Sequence, residues 1–252
     1  MVTALAVGAP GPFTAATLGY SRGVRVLSVT HGPSVPGGVF DEAAEAAGHE
    51  LERWVVPLGG APQPATSYGA IMVFGGAMHP DSDAENRWLE REEEFLRAAL
   101  ATEIPVVGVC LGAQMLARAA GAWVGPAREP EVGWFDVELT PAGRDDPVVG
   151  VLPPRTEAFQ WHSYTFDVPD RGTELARSAA CTQAFQVGQR AWGLQFHAEV
   201  TLPMVRTWTA EDADQLPVPA EEFLAETERR IADWNDHGRR LAAAFLATAA
   251  QY

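Results

Sequence analysis

The chain has 252 residues, of which 47% are hydrophobic and 20% charged, and a formal net charge of −15. It is too apolar for wholesale disorder and long enough to bury a sizeable core as one α/β domain. The acidic balance argues against nucleic acid as a partner, and no apolar run reaches the roughly 18 residues that a membrane span needs. Two cysteines, Cys110 and Cys181, are too few for a disulfide framework and suit a reducing cytoplasm.

Residues 1–22 are rich in Ala, Gly, Pro and Thr and carry no charge before Arg22. Pro10, Gly11 and Pro12 interrupt the apolar stretch that a secretory signal would require, so this segment is expected to be a disordered extension without function. Residues 23–252 are expected to form a single domain. From Val24 onward strand and helix alternate. Val24–Val29 reads as a strand with His31-Gly32-Pro33 as the turn after it, Phe40–Ala47 as a short helix, and Leu51–Val56 as a second strand. A Pro- and Gly-containing loop over Pro57–Ser67 leads to a buried strand, Ala70–Phe74, that delivers Gly75-Gly76. A helix is expected over Asp83–Leu100, with Asp83 as cap and Glu90–Glu94 as a solvated face. Ile104–Val109 is the central strand ending at Cys110.

The second half has more strand: Gly133–Leu139, Ala158–Trp161, Glu174–Arg177, Thr182–Val187 and Ala191–His197, with a loop over Pro141–Pro154. An amphipathic C-terminal helical segment is expected over residues 219–250, with Phe223, Ile231, Trp234, Leu241 and Phe245 on one stripe and a break at Gly238. That stripe is expected to pack on the parent domain, with a homodimer or partner interface as the alternative. The alternation implies a mostly parallel sheet flanked by helices, with ligand sites beyond the carboxyl ends of the strands.

Two segments carry chemistry. In Gly108-Val109-Cys110-Leu111-Gly112 an apolar strand turns sharply into a helix. Such an elbow projects its central side chain and leaves the Leu111 N–H free to meet an oxyanion. Downstream, Phe196-His197-Ala198-Glu199 reads as a strand end. On alternate positions His197 and Glu199 would share a face, Glu199 fixing the tautomer while the other ring nitrogen meets a thiol. Cys181 has no such elbow and reads as packing, and His79 as a surface histidine. No pair of Cys or His residues has metal-ligand spacing, and neither metal nor cofactor is implied.

These motifs together resemble the class I glutamine amidotransferases, in particular stand-alone GMP-synthase-type or γ-glutamyl-hydrolase-like members. Val73-Phe74-Gly75-Gly76-Ala77-Met78 resembles the loop that supplies the other half of the oxyanion hole, although the family usually has Pro where Ala77 stands. Glu131-Val132-Gly133-Trp134-Phe135 and Phe159-Gln160-Trp161-His162-Ser163-Tyr164 resemble further family segments. The likeness covers about residues 24–210 and implies a flavodoxin-like α/β fold with extra strands in the second half. It also implies a Cys110–His197–Glu199 triad, an oxyanion hole at Gly76 and Leu111, and a substrate pocket at Gln114, His162 and Ser163. The implied activity is hydrolysis of the γ-amide of glutamine or of a γ-glutamyl compound through a thioester. The alternatives are a glutaminase subunit that feeds ammonia to a separate synthetase, and a non-catalytic regulatory module of the same fold.

Overall fold

The computed structural model describes residues 23–249. The N-terminal extension expected over 1–22 and the last residue of the expected C-terminal helix lie outside the described residues. In chain order the strands are β1 (Arg25–Thr30), β2 (Glu50–Val55), β3 (Ala70–Val73), β4 (Val106–Val109), β5 (Val124–Leu139), β6 (Arg155–Phe166), β7 (Gly172–Arg177), β8 (Thr182–Val187) and β9 (Ala191–Leu194). The helices are α1 (Gly38–Ala46), α2 (Trp88–Ala101), α3 (Leu111–Ala119), α4 (Pro141–Asp145), α5 (Leu202–Glu211) and α6 (Ala220–Ala249). All nine strands join one sheet in the order β2-β1-β3-β4-β9-β8-β7-β5-β6.

The first five positions of that order are parallel and the rest antiparallel. Strands β3, β4 and β9 are buried at every position, as expected of parallel strands covered on both faces, and this explains their unbroken apolar runs. One cluster of core side chains lies on each side of the parallel half. The architecture is the α/β one that the sequence implied, with its extra strands and its C-terminal helix.

Several local expectations are corrected. Helix α2 starts at Trp88, not near Asp83, because the Asp83 carboxylate is held in a two-pronged pair with Arg118 (2.9 Å for each prong) and caps nothing. The Glu90–Glu94 run is not simply a solvated face: Glu92 is fully buried and Glu93 is buried against Arg97 and Arg118. The Pro141–Pro154 loop contains α4, which Thr140 caps by accepting the Gly143 N–H. Helix α6 runs unbroken through Gly238. Strands β5 and β6 are far longer than their apolar cores suggested, because they form a two-stranded ribbon with a register irregularity between Pro126 and Glu131. No helix among the described residues is long and apolar enough to cross a membrane.

Candidate active site

Three neighbouring parallel strands, β3, β4 and β9, finish side by side, with Val73 paired to Gly108 and Val109 to Leu194. The segments leaving their carboxyl ends carry Gly75-Gly76, Cys110 and His197. Convergence of the three follows from strand direction and register alone.

The elbow is tight. Cys110 has φ 51° and ψ −111°, a region that costs a side-chain-bearing residue about 1–3 kcal/mol. The two flanking glycines make the turn possible: a Cβ on Gly108 would come 2.4 Å from the Gly112 carbonyl oxygen, and one on Gly112 would come 2.2 Å from that of Val73. The Cys110 N–H is anchored on the Leu194 carbonyl (2.8 Å), and its Sγ lies 3.8 Å from the Trp161 carbonyl oxygen. Leu111 is the first residue of α3, so its N–H has no acceptor within the helix.

The second motif reaches the same place by a different route from the one expected. Strand β9 ends at Leu194, so His197 and Glu199 do not alternate along a strand; they sit in the segment after it. That segment is fixed from outside. The His197 N–H donates to Phe159 O (2.9 Å), Trp234 Nε1 donates to His197 O (2.8 Å), and Asn235 Nδ2 donates to Val200 O (2.6 Å). Within it, His197 Nδ1 lies 2.8 Å from Glu199 Oε1, both side chains being buried. The other nitrogen, Nε2, is buried without a conventional hydrogen-bond partner, on the side of Cys110. Burial alone would lower the imidazole pKa, but the Glu199 carboxylate and the Cys110 sulfur beside it hold it well above the ordinary value. A Cβ on Gly75 would lie 3.0 Å from His197 Cε1 and 3.7 Å from Cys110 Cβ, so these two groups face each other across the glycine loop.

Gly76 is confined between His31 and Leu111; a Cβ there would meet a side-chain atom of each at 2.8 Å. Its N–H donates to no main-chain carbonyl among the described residues. Behind the loop, His31 is fully enclosed. Its Nδ1 lies 2.9 Å from Gly75 O and its Nε2 2.9 Å from Glu92 Oε2, and the ring stacks on Trp88. Sequence reasoning missed both members of this pair, and the only available signal was a histidine directly after the first strand.

Cys110 lies where two lobes of a cleft meet. The smaller lobe, about 150 Å³, is lined by Gln114, His162, Ser163, Tyr164 and His79, so the three substrate-pocket residues named from the resemblance are together. Gln114 Nε2 donates to Tyr164 O (3.0 Å). His79, expected as a surface histidine, is exposed, and it stacks on Tyr164 at 4.1 Å and lines this lobe. The larger lobe, about 270 Å³, is lined by His197, His31, Trp161, Trp208, Glu211 and Asp212, among others.

Beneath the small lobe, Glu131 on β5, His162 on β6 and Cys181 in the bend before β8 bring their heteroatoms within 4.8 Å of one another, a grouping that linear spacing does not reveal. Hydrogen bonds account for it. Glu131 Oε2 accepts from Gln183 Nε2 (2.7 Å) and lies 3.1 Å from His162 Nε2. Cys181 is therefore not apolar packing: its Sγ lies 3.6 Å from the same carboxylate oxygen, and burial, with that carboxylate contributing, pushes the thiol up to about 11.

Residues 48–207 match the family model described as glutamine amidotransferase class-I. The chain belongs to that family. Among similar amidotransferase sequences is the glutamine amidotransferase-like protein YfeJ of Salmonella typhimurium, 27% identical over 217 residues that cover 84% of this chain and 91% of that one. A glutamine-hydrolyzing GMP synthase subunit from Ignicoccus hospitalis is 29% identical over 183 residues, 70% of this chain and 89% of its own. Among solved structures, a glutamine amidotransferase from Thermotoga maritima superposes with a TM-score of 0.81 at 29% identity, covering 91% of this chain and 99% of that one. This amidotransferase family membership is consistent with hydrolysis of the glutamine amide.

Proposed function

We propose that the protein is a cysteine-dependent amidohydrolase acting on the γ-amide of glutamine or of a γ-glutamyl compound. The observation that carries this reading is the meeting of the Cys110 elbow with a buried His197–Glu199 pair in one cleft. Cys110 Sγ attacks the amide carbon and the C–N bond breaks. His197, held protonated by Glu199, gives its proton to the departing nitrogen. The oxyanion is received by the N–H groups of Gly76 and Leu111; loss of one such donor typically costs about 2.7–4 kcal/mol. Water, deprotonated by His197, then hydrolyses the thioester to glutamate. The small lobe, with Gln114, His162 and Ser163, takes the glutamyl end.

The test is glutamate and ammonia or amine release by the purified protein alone, over glutamine and γ-glutamyl amides, beside Cys110→Ala. Turnover is expected, and it is expected to vanish in a variant that keeps the wild-type circular dichroism spectrum. Hydrolysis persisting in Cys110→Ala would sink the thioester route. The similarity to a GMP synthase subunit supports a second reading, a glutaminase chain that passes ammonia to a synthetase; it predicts weak activity alone and strong stimulation by that partner.

A further inference from the structure

The two lobes are unequal in size and in chemistry, and Cys110 stands between them. A leaving group departs on the side of the acid that protonates it. His197 lines only the larger lobe, while Gln114 and the Ser163–Tyr164 strand line only the smaller one. On the reading proposed above, the larger lobe is therefore the place of the departing amine. Ammonia is about the size of a water molecule, whose share of liquid volume is about 30 Å³. A cavity of about 270 Å³ is far more than it needs.

The lining identifies what would fill the space. Trp161 and Trp208 form an aromatic corner, with ring centroids 5.8 Å apart, and Trp208 is held by its Nε1–H on Ser34 O. Two carboxylates stand at the end of α5, Glu211 lining only the larger lobe and Asp212 standing where the two lobes meet, and no arginine lines either lobe. Neither carboxylate is paired with a base among the described residues, and burial together with Asp214 and Glu211 raises the Asp212 carboxyl above its ordinary range. His197, whose buried Nε2 lies on the side of Cys110, lines the same lobe. Aromatic faces beside unpaired carboxylates favour an aliphatic chain that ends in a cation.

We infer that the larger lobe is a leaving-group site for a cationic alkylamine, so that the preferred substrate is a γ-glutamyl amide of a diamine or polyamine and not glutamine itself. This rests on the hydrolase reading. Atoms balance as in that reaction: the γ C–N bond breaks, the His197 proton passes to the leaving nitrogen, and water supplies the oxygen and protons that complete glutamate and regenerate the thiol.

The experiment compares kcat/KM of the full-length protein for γ-glutamylputrescine, its neutral analogue γ-glutamyl-n-butylamide, the anionic amide of γ-aminobutyrate, and glutamine, at low salt. The putrescine amide is expected to exceed the butylamide by about tenfold, the factor that ~1.4 kcal/mol represents. The anionic amide should be the slowest of the three substituted amides. In Glu211→Gln/Asp212→Asn the putrescine-to-butylamide ratio should fall towards one. Equal or better cleavage of glutamine, of the neutral amide or of the anionic amide, or an unchanged ratio in the double variant, overturns this inference and leaves the hydrolase reading intact. No cleavage of any compound overturns both.

Discussion

At the scale of single residues the most consequential pair is His31 and Glu92, neither of which is hydrogen-bonded to Cys110. A carbonyl oxygen can only accept, so the His31 Nδ1 beside Gly75 O carries a proton. Facing the Glu92 carboxylate, Nε2 carries one too when His31 is charged. Burial opposes the charge, but Glu92 and the Gly75 and Phe74 carbonyls outweigh it and raise the imidazole pKa. The carbonyl of Gly75 belongs to the same planar peptide unit as the N–H of Gly76. His31 therefore sets the direction of that N–H, in a loop where Ala77 replaces the stiffening proline. Glu92→Gln is expected to lower kcat by roughly 10- to 100-fold, less than outright loss of an oxyanion donor, with KM little changed. A proportionate rise in KM instead would assign the pair to substrate binding. The pair also links to stability. With its folded pKa raised, His31 contributes stability that is fully present below the unfolded value of about 6.5 and is lost as pH rises through the folded one. The melting-temperature gap between wild type and Glu92→Gln should therefore narrow as pH rises above that value, and a gap independent of pH would refute the charged state. Cys110 and His197 were legible because their neighbours in sequence carry the signal. His31 and Glu92 were not, since they lie 61 positions apart in the chain and only the folded packing of α2 brings them together.

At the scale of elements, α6 acts as a clamp on the segment carrying His197. Trp234 and Asn235 hold its carbonyls, and one turn further Gly238 lets the helix lie directly on the Ala198 backbone. A Cβ there would come 2.0 Å from Ala198 O and 2.8 Å from Val39 Cγ2. Two effects of Gly238→Ala oppose each other. Helix propensity favours alanine by about 1 kcal/mol, whereas forcing an atom into a closed backbone contact typically costs about 1–3 kcal/mol. The contact wins. A net loss of stability by denaturant melts is expected, with a fall in kcat as His197 shifts; a variant more stable than wild type would show that the contact relaxes freely. The sequence suggested a break at Gly238 because glycine is a poor helix former, and the structure uses it for close approach instead. The same distinction explains the other misreadings. Buried parallel strands announce themselves by apolar runs, so β3 and β4 were found, whereas β9 ends before its apolar run does, and Asp83 and Glu92 look like a cap and a solvated side chain until Arg118 and His31 are placed against them.

At the scale of the whole molecule, 33 acidic residues face 18 basic ones, leaving 15 negative charges unmatched. The exposed ion pairs, such as Arg206–Glu228 and Arg155–Asp136, contribute little and are weakened by salt. Self-repulsion among the unmatched acids is weakened by salt as well, with the opposite sign for stability. The surplus is nearly as large as the whole basic complement, so relief of repulsion should dominate. Raising NaCl from about 10 mM to about 0.3 M, where the Debye length falls from about 30 Å to below 10 Å, is expected to raise the melting temperature. Each kcal/mol gained corresponds to about 2–4 °C in a chain of this size. The same field should act on encounter with substrate in the other direction. An acidic molecule with Glu211 and Asp212 at its cleft attracts a cationic amide from a distance, so kcat/KM for γ-glutamylputrescine should fall over the salt range that stabilises the fold, while that for the neutral butylamide stays nearly flat. Parallel salt dependence of the two amides would place the charge effect on the protein's conformation. Divergence would place it on encounter, where unpaired carboxylates at the mouth of the larger lobe require it to be.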